Sequence, residues 1–395
     1  MPASRSPGSG RGKPAGRPDH RICHRVDLSD RTRDRRPRQD SLRLGADRTT
    51  GRPGIAGTPG RGHHSGGRTV TAPRLGFLTH AASGSSDRQI IEDTITLCVE
   101  AERIGYHSVW LAQHHFGAEG GVVPAPLVLL AAVAARTERV RLGTAVITMA
   151  LEDPIRAAED AALVDLISGG RVELGLGSGA HPPTFTAMSR DFSRRADDSS
   201  VNAGVLASVL AGDTLPGGAV LTPPAPSLAQ RLWRATTSRK AAAAAAHLGQ
   251  GILLARSWPL EAVPVGHFQR PIAAEYRQVA RVNRHIPRVG VSRTILPTTD
   301  AAVLSRAVAD ARAWALGEGL PAELNAGDDK AVLERHGVIH GTGTQITEAL
   351  QSDPTVQLAT DLLVQFQPTH LSLSDAVAAL GQIAEAVAAL PGGLP

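Results

Sequence analysis

Two adjacent histidines, His114 and His115, close a predicted strand that begins at Ser108. An imidazole that titrates near neutral pH can both give and take a proton, so a histidine at a strand end is a candidate acid or base. Neighbouring residues on a strand point to opposite sides, which leaves one of the pair facing inward and the other packing against the strand end. A second group is Gly175-Leu176-Gly177-Ser178-Gly179. Its spacing is not G-x-G-x-x-G, and His181-Pro182-Pro183 follows where a dinucleotide-binding turn would run straight into a helix. The glycines instead permit close backbone approach to a flat ligand, or make a tight turn. The third group, Ser238-Arg239-Lys240, precedes an alanine-rich helix. Free N–H groups, the helix dipole, a hydroxyl and two cations would converge there on an anion such as phosphate. The same residues also read as an ordinary basic helix start.

The elements that must position these groups form repeated βα units. Arg141 to Gly179 holds one whole repeat: Leu142 to Met149 reads as a buried strand, and Asp153-Pro154 as the cap and first turn of a helix. Ile155, Ala158, Ala162 and Leu166 recur at helical spacing, Ser168-Gly169-Gly170 stops the helix, and Val172 starts the next strand. The same reading gives strands at Leu75 to His80, Ser108 to His115, Arg231 to Ser238, Gly251 to Arg256, Val289 to Leu296 and Asp361 to Gln367. Ser86 and Gln89 cap the first helix, which Gly105 closes; Pro126 to Thr137, Ala273 to Asn283, Ala301 to Leu316 and Ser374 to Leu390 are further helices. Eight units predict an α/β fold, a (β/α)8 TIM barrel with insertions between strands four and five and between helix seven and strand eight. An open doubly wound sheet shares the alternation, and the count of eight favours the barrel. In such a barrel reactive residues stand at the C-terminal strand ends. That rule selects Thr79, His80, Gln113, His114, His115, Thr144, Ala145, Val146, Ile147, Thr148, Gly177, Ser178, Gly179, Thr236, Thr237, Ser238, Arg239 and Arg256.

Charge divides the chain into residues 1–72 and 73–395. Fifteen arginines, one lysine and six aspartates give the first segment +10, so the remainder, against a total of +5, carries −5. The first segment has no aromatic residue and no long periodic run, and it is predicted to be a disordered basic tail. Without aromatic side chains to stack on bases it is a poor nucleic-acid binder. The plainer reading is a tail with no selected role, translated from a start placed too far upstream. His63-His64 and Cys23-His24 lack further ligands at metal spacing, and no metal is expected. Two cysteines, Cys23 and Cys98, make no disulfide framework, and no apolar run reaches the roughly 20 residues of a membrane span. A cytoplasmic, soluble protein is expected.

The order of residues also resembles a known family. Thr144-Ala145, Asp153-Pro154-Ile155-Arg156, Ala158-Glu159-Asp160 and Gly170-Arg171 followed by Gly175-Leu176-Gly177 are similar to the third and fourth strands of the bacterial luciferase-like flavin monooxygenases. Trp110-Leu111-Ala112-Gln113-His114-His115-Phe116 resembles that family's second strand, and the likeness extends from about Arg74 to about Leu390. The resemblance implies a barrel that uses reduced FMN and O2 to oxidise a small organic substrate, with His114 as acid or base. It implies that the serine at the position of Ser238 binds the flavin phosphate, and that the peptide bond Ala145 to Val146 is cis. Two residues depart from the family's pattern: Gln113 stands where Glu is common, and Ala241 where Thr or Gly is common. The family also implies a homodimer. Because the chain shows no dinucleotide fold of its own, a separate reductase would supply the reduced flavin. Two alternatives stay open: a hydride-transfer oxidoreductase using the deazaflavin coenzyme, and a flavin-binding protein without catalysis.

Overall fold

In the computed structural model the described residues are 72–391, apart from 83, 257–263 and 318–320. The tail read over residues 1–72 lies outside them except for Ala72, as do Cys23, His24, His63 and His64. The strands are β1 (Arg74–Thr79), β2 (Ser108–Leu111), β3 (Arg141–Thr144), β4 (Ile147–Thr148), β5 (Val172–Gly177), β6 (Leu232–Ala235), β7 (Gly251–Leu254), β8 (Val289–Leu296), β9 (Val338–His340) and β10 (Asp361–Gln365). The helices are α1 (Asp87–Ile104), α2 (Pro126–Ala134), α3 (Pro154–Ile167), α4 (Pro182–Ala187), α5 (Arg195–Ala211), α6 (Arg239–His247), α7 (Val265–Val282), α8 (Ala301–Gly317), α9 (Asp329–Arg335), α10 (Gly343–Ser352) and α11 (Leu373–Ala388).

All strand pairs are parallel. Because β10 pairs with both β1 and β8, the sheet closes on itself into a (β/α)8 barrel, and the open sheet is excluded. The predicted third strand is split into β3 and β4, which together make one stave; the break is the cis peptide Ala145–Val146. The second strand is shorter than predicted and ends at Leu111, so His114 and His115 lie on the loop beyond it. The pleat therefore does not decide which of them faces the barrel. The fifth predicted strand also starts late. Arg231 stands in a 3-10 turn ahead of β6, where its guanidinium spans both oxygens of Asp165 at 2.8 Å and the carbonyls of Gly170 and Val172. Strand β9 was not read from the sequence; it extends the sheet from β8 at Thr294 to Leu296. Helices α4 and α5 fill the first predicted insertion, and short 3-10 turns with α9, β9 and α10 fill the second.

Local chemistry sets the helix ends as the sequence reading expects. Ser86 Oγ accepts from Gln89 N, and Gly105 ends α1 at φ 108°, a left-handed conformation that suits glycine. Asp153 caps α3 by accepting from the N–H groups of Ile155 and Arg156. The helices pack their apolar faces on the outside of the strands. Cys98 lies in that layer on α1, fully buried, and burial pushes its thiol up to about 12. No helix among the described residues is long and apolar enough to cross a membrane.

The barrel interior is filled by Trp110 and Trp233, edge to face with ring centroids 5.6 Å apart, together with Leu78, Leu253 and Leu363. Glycine makes the room: a Cβ on Gly143 would sit 2.1 Å from the Trp110 ring, and one on Gly251 2.4 Å from Trp233. The indole N–H groups of these two tryptophans have partners, Ser108 Oγ for Trp110 and Glu173 Oε2 for Trp233. Below the tryptophans, Arg74 pairs with Asp361 through two bonds of 2.9 Å, Arg141 pairs with Glu173, and Arg288 lies over Trp233. This end is closed by side chains, which leaves the C-terminal strand ends as the open mouth.

Candidate active site

The upper surface of the tryptophan layer is made of small side chains. Ala145, Val146 and Ala235 pack on it and stay partly exposed, at the ends of β3, β4 and β6. The result is an apolar floor at the barrel mouth. The glycine stretch lies against it, but its open positions are taken by the protein. A Cβ on Gly175 would lie 2.0 Å from Thr144 O, one on Gly177 2.4 Å from Val146, and one on Gly179 2.7 Å from Thr148. These glycines let β5 approach β3 and β4, and Gly179 turns the chain at φ 81°. Thr144 is fully buried, and its hydroxyl bonds Gly175 O and Gly175 N at 2.9 Å each, so its side chain braces the same contact. Ser178 is half-buried at the end of β5.

On one side of the floor stand two histidines. His114 is 8% exposed, held by its N–H to Val123 O at 2.9 Å, and its ring lies over Gly121, where a Cβ would come within 2.5 Å. Its Nε2 is 2.9 Å from Nδ1 of His80, and the two rings stack with centroids 5.1 Å apart. His80 in turn bonds Gln365 Oε1 through Nε2 at 2.8 Å, and Gln365 Nε2 donates to Thr294 Oγ1 at 3.3 Å. Burial, with His114 and Arg256 near, holds the His80 imidazole well below the usual histidine range. Thr79 Oγ1 accepts from Ala81 N and so supports the turn that carries His80. A narrow cleft leaves the pair between the strand ends of β1 and β10 and helices α1 and α11, lined by Thr79, Asp93, Thr94, Gln367 and Thr369.

Gln113 ties the next strand end together. Its Oε1 accepts from Thr148 N at 2.7 Å, and its Nε2 donates to Glu152 Oε1 at 2.7 Å and to Pro124 O at 2.9 Å. A carboxylate is therefore present beside this position, on Glu152. The Glu152 loop is itself anchored from α5, where Asn202 donates to Met149 O and Glu152 O. His115 sits nearby, half-buried and ring to ring with Phe116; burial lowers its proton affinity and Glu152 raises it.

Across the floor, β6 ends in Thr236-Thr237-Ser238, and Ser238 caps α6 by accepting from Ala241 N at 3.4 Å. Thr237 and Ser238 are exposed, so the start of α6 presents N–H groups and hydroxyls to solvent. Arg239 does not point its charge there: it pairs with Glu275 on α7. Arg256, past the end of β7, lies over the Trp314 ring at 4.8 Å and donates to His336 O. It is turned to the inserted region and is felt by His80 through its charge.

His80 stands among the strand-end residues that the sequence selects, without a role assigned to it, while Gln365, Thr294 and Glu152 were not selected. Gln365 and Thr294 were within reach. In β8 and β10 the barrel-facing alternation passes through Gly290, Ser292 and Thr294, and through Asp361, Leu363 and Gln365, so polar residues at its upper end mark the mouth. Among the described residues no group of three His, Cys, Asp or Glu could hold a metal ion.

A closed parallel barrel with paired histidines at its C-terminal strand ends has the (β/α)8 architecture, whose enzymes carry their active sites at that face. The family model of the luciferase-like monooxygenases matches residues 74–389, and the chain belongs to that family. It is 35% identical over 111 residues to the oxygenase component of flavin-dependent trigonelline monooxygenase of Acinetobacter baylyi, covering 28% of this chain and 31% of that protein. Over 90 residues it is 42% identical to F420-dependent glucose-6-phosphate dehydrogenase of Amycolatopsis mediterranei, covering 22% of this chain and 27% of that one. The chain thus matches about a third or less of the length of these curated relatives. Among solved structures, monooxygenase RslO1 from Streptomyces bottropensis superposes with a TM-score of 0.67 at 23% identity, over 79% of this chain and 98% of that one. The fold is shared; the relatives include both flavin-dependent monooxygenases and F420-dependent oxidoreductases.

Proposed function

We propose that the protein is a flavin-dependent monooxygenase that uses reduced FMN and O2 on a small organic substrate. The observation that carries this reading is the pairing, at one mouth, of an apolar floor of small side chains with an exposed helix start. A flat ring fits the first and a single phosphate fits the second. Ala145, Val146 and Ala235 would underlie the ring. Thr237, Ser238 and the first N–H groups of α6 would hold the phosphate. Bound reduced FMN would supply the electrons with which O2 is split, one oxygen atom entering the substrate and the other leaving as water.

The protein's own part is positioning and proton handling. His114 is nearly buried, so a proton it holds exchanges with a reacting group rather than with bulk water. Gln113, Thr148 and Glu152 fix the loop beside it. The apolar floor and the tryptophans below keep water from the lower face.

A deazaflavin coenzyme with a long acidic tail would want a cationic run leading away from Ser238. Arg239 is already committed to Glu275, which favours FMN over that alternative. With this reading go a separate flavin reductase, a cytoplasmic setting and assembly as a homodimer. The test is an anaerobic equilibrium titration with reduced FMN and, separately, with the reduced deazaflavin coenzyme. Tight binding of FMN, followed by oxygen-dependent turnover of a candidate substrate, is the expected result. Binding of the deazaflavin alone would move the reaction to hydride transfer, and FMN binding without any oxygen-dependent product would leave a flavin carrier.

A further inference from the structure

The hydrogen bonds that run away from His114 have a fixed direction, because they end on a group that can only accept. Thr294 Oγ1 donates to the backbone carbonyl of Gln367 at 2.8 Å. With its one hydrogen committed, Thr294 Oγ1 can only accept from Gln365, which places the Gln365 NH2 on Thr294 and its Oε1 on His80. A flipped Gln365 amide would set two acceptors against each other at 3.3 Å. Gln365 Oε1 accepts, so His80 Nε2 carries a hydrogen. The imidazole of His80 is kept neutral by burial and by the neighbouring His114 and Arg256, which leaves its Nδ1 as an acceptor. The nitrogen facing that acceptor, His114 Nε2, therefore carries the proton.

We propose that His80 is a positioning residue which, held by Gln365 and Thr294, fixes His114 in the tautomer with its proton on Nε2 and its lone pair on Nδ1. Proton exchange at His114 then starts at Nδ1. Once Nδ1 has taken a proton, the Nε2 proton can be shared with His80 Nδ1 along the 2.9 Å contact, and it returns to His114 when Nδ1 gives its proton up, while the His80 Nε2 hydrogen stays on Gln365. His114 thus takes and gives one proton at Nδ1. Asp93 and His370 are the other titratable groups lining the cleft beside His80, and the charge of Arg256 reaches His80. This inference rests on the proposed role of His114 in the flavin site, while its geometry is independent of any flavin.

The experiment is a long-range proton–nitrogen NMR spectrum of the full chain labelled with 15N-histidine, at neutral pH and without ligand. The His114 and His80 signals are assigned by their loss in His114→Gln and His80→Gln. The expected result is a protonated Nε2 and a bare Nδ1 on both rings. A proton on His114 Nδ1, or an imidazolium at His80, would overturn the proposal. The second test is Gln365→Glu, read at the pH where His80 has become doubly protonated. Both His80 nitrogens then donate, so His114 must shift its proton from Nε2 to Nδ1; no shift would overturn the directional chain. If this variant does not fold, the wild-type spectrum decides alone. Reduced FMN is titrated into the same wild-type sample: failure to bind would sink the flavin reading and leave the tautomer result standing, since the ring nitrogens report without it.

Discussion

Gln113 and Glu152 are joined side chain to side chain, with Gln113 Nε2 2.7 Å from Glu152 Oε1, and the same amide holds Thr148 N through its oxygen. The amide can accept from a backbone N–H and donate to a carboxylate at once. A glutamate at position 113 could do only the first.

Gln113→Glu is therefore expected to destabilise the barrel by about 1–3 kcal/mol near neutral pH, since two donor bonds are lost and two carboxylates face each other. Like charge raises the folded-state carboxyl pKa above its unfolded value. The deficit is thus full above the raised pKa and fades as pH falls into the ordinary carboxyl range. Urea midpoints of the variant and wild type at alkaline and mildly acidic pH measure it; a pH-independent gap would contradict the paired-carboxylate account.

Gly143→Ala places a methyl 2.1 Å from the Trp110 ring, and the interior has nowhere to send the indole. The expected loss is about 1–3 kcal/mol of stability, with displaced tryptophan fluorescence. Adding Trp110→Leu makes room for the methyl, so the double variant should lose less than the sum of the single losses. Additive losses would show that the glycine and the tryptophan are not in contact.

His336, beneath Trp314 in the inserted region, is buried with Arg256 at hand, and its pKa is pushed down to about 4. A histidine depressed in the folded state contributes stability that is whole above its unfolded pKa and is lost as pH falls toward the folded value. His336→Phe, which keeps the ring against Trp314, should flatten the acid limb of stability between about pH 6.5 and 4. The difference reaches about 3 kcal/mol at the acid end. Denaturant titrations across that range check it, and identical pH slopes for variant and wild type would be the contrary result.

Ser238→Ala removes both the α6 cap and a hydroxyl from the proposed phosphate site. The expected weakening of reduced FMN is roughly tenfold, the worth of about 1.5 kcal/mol for a hydrogen bond to a charged group. Glu275→Gln works in the opposite sense: it frees Arg239 from its surface ion pair and should tighten FMN by a few fold at low salt, an effect that salt removes. Unchanged affinity in both variants would move the phosphate elsewhere.

Much of the architecture is legible in the residues. Strand β8 runs from Val289 to Leu296, the bounds read from the sequence, although Ser292 and Arg293 interrupt its apolar residues, and the caps Ser86, Asp153 and Ser238 and the stop at Gly105 fall where their chemistry places them. These are local effects, decided by side chains within a few residues of the backbone group they satisfy. Arg231 shows where such reading fails. Within the segment it looks like a charge inside a strand, yet its partner is Asp165, 66 positions earlier, and that pairing holds it in the turn ahead of the strand.

The site divides in the same way. By itself the sequence determined the alternation of strands and helices, the strand ends that must share a mouth, and the residue types able to move a proton or hold an anion there. It also carried the resemblance that implied a cis bond at Ala145–Val146. Only the tertiary structure decided that His114 leans on His80, that Gln113 meets Glu152, and that the Gly175 to Gly179 backbone is approached by the barrel's own strands rather than left open. The physical reason is that barrel closure brings β10 beside β1, so Gln365 reaches His80 across 285 positions of sequence, and hydrogen-bond direction passes through contacts that no local pattern records.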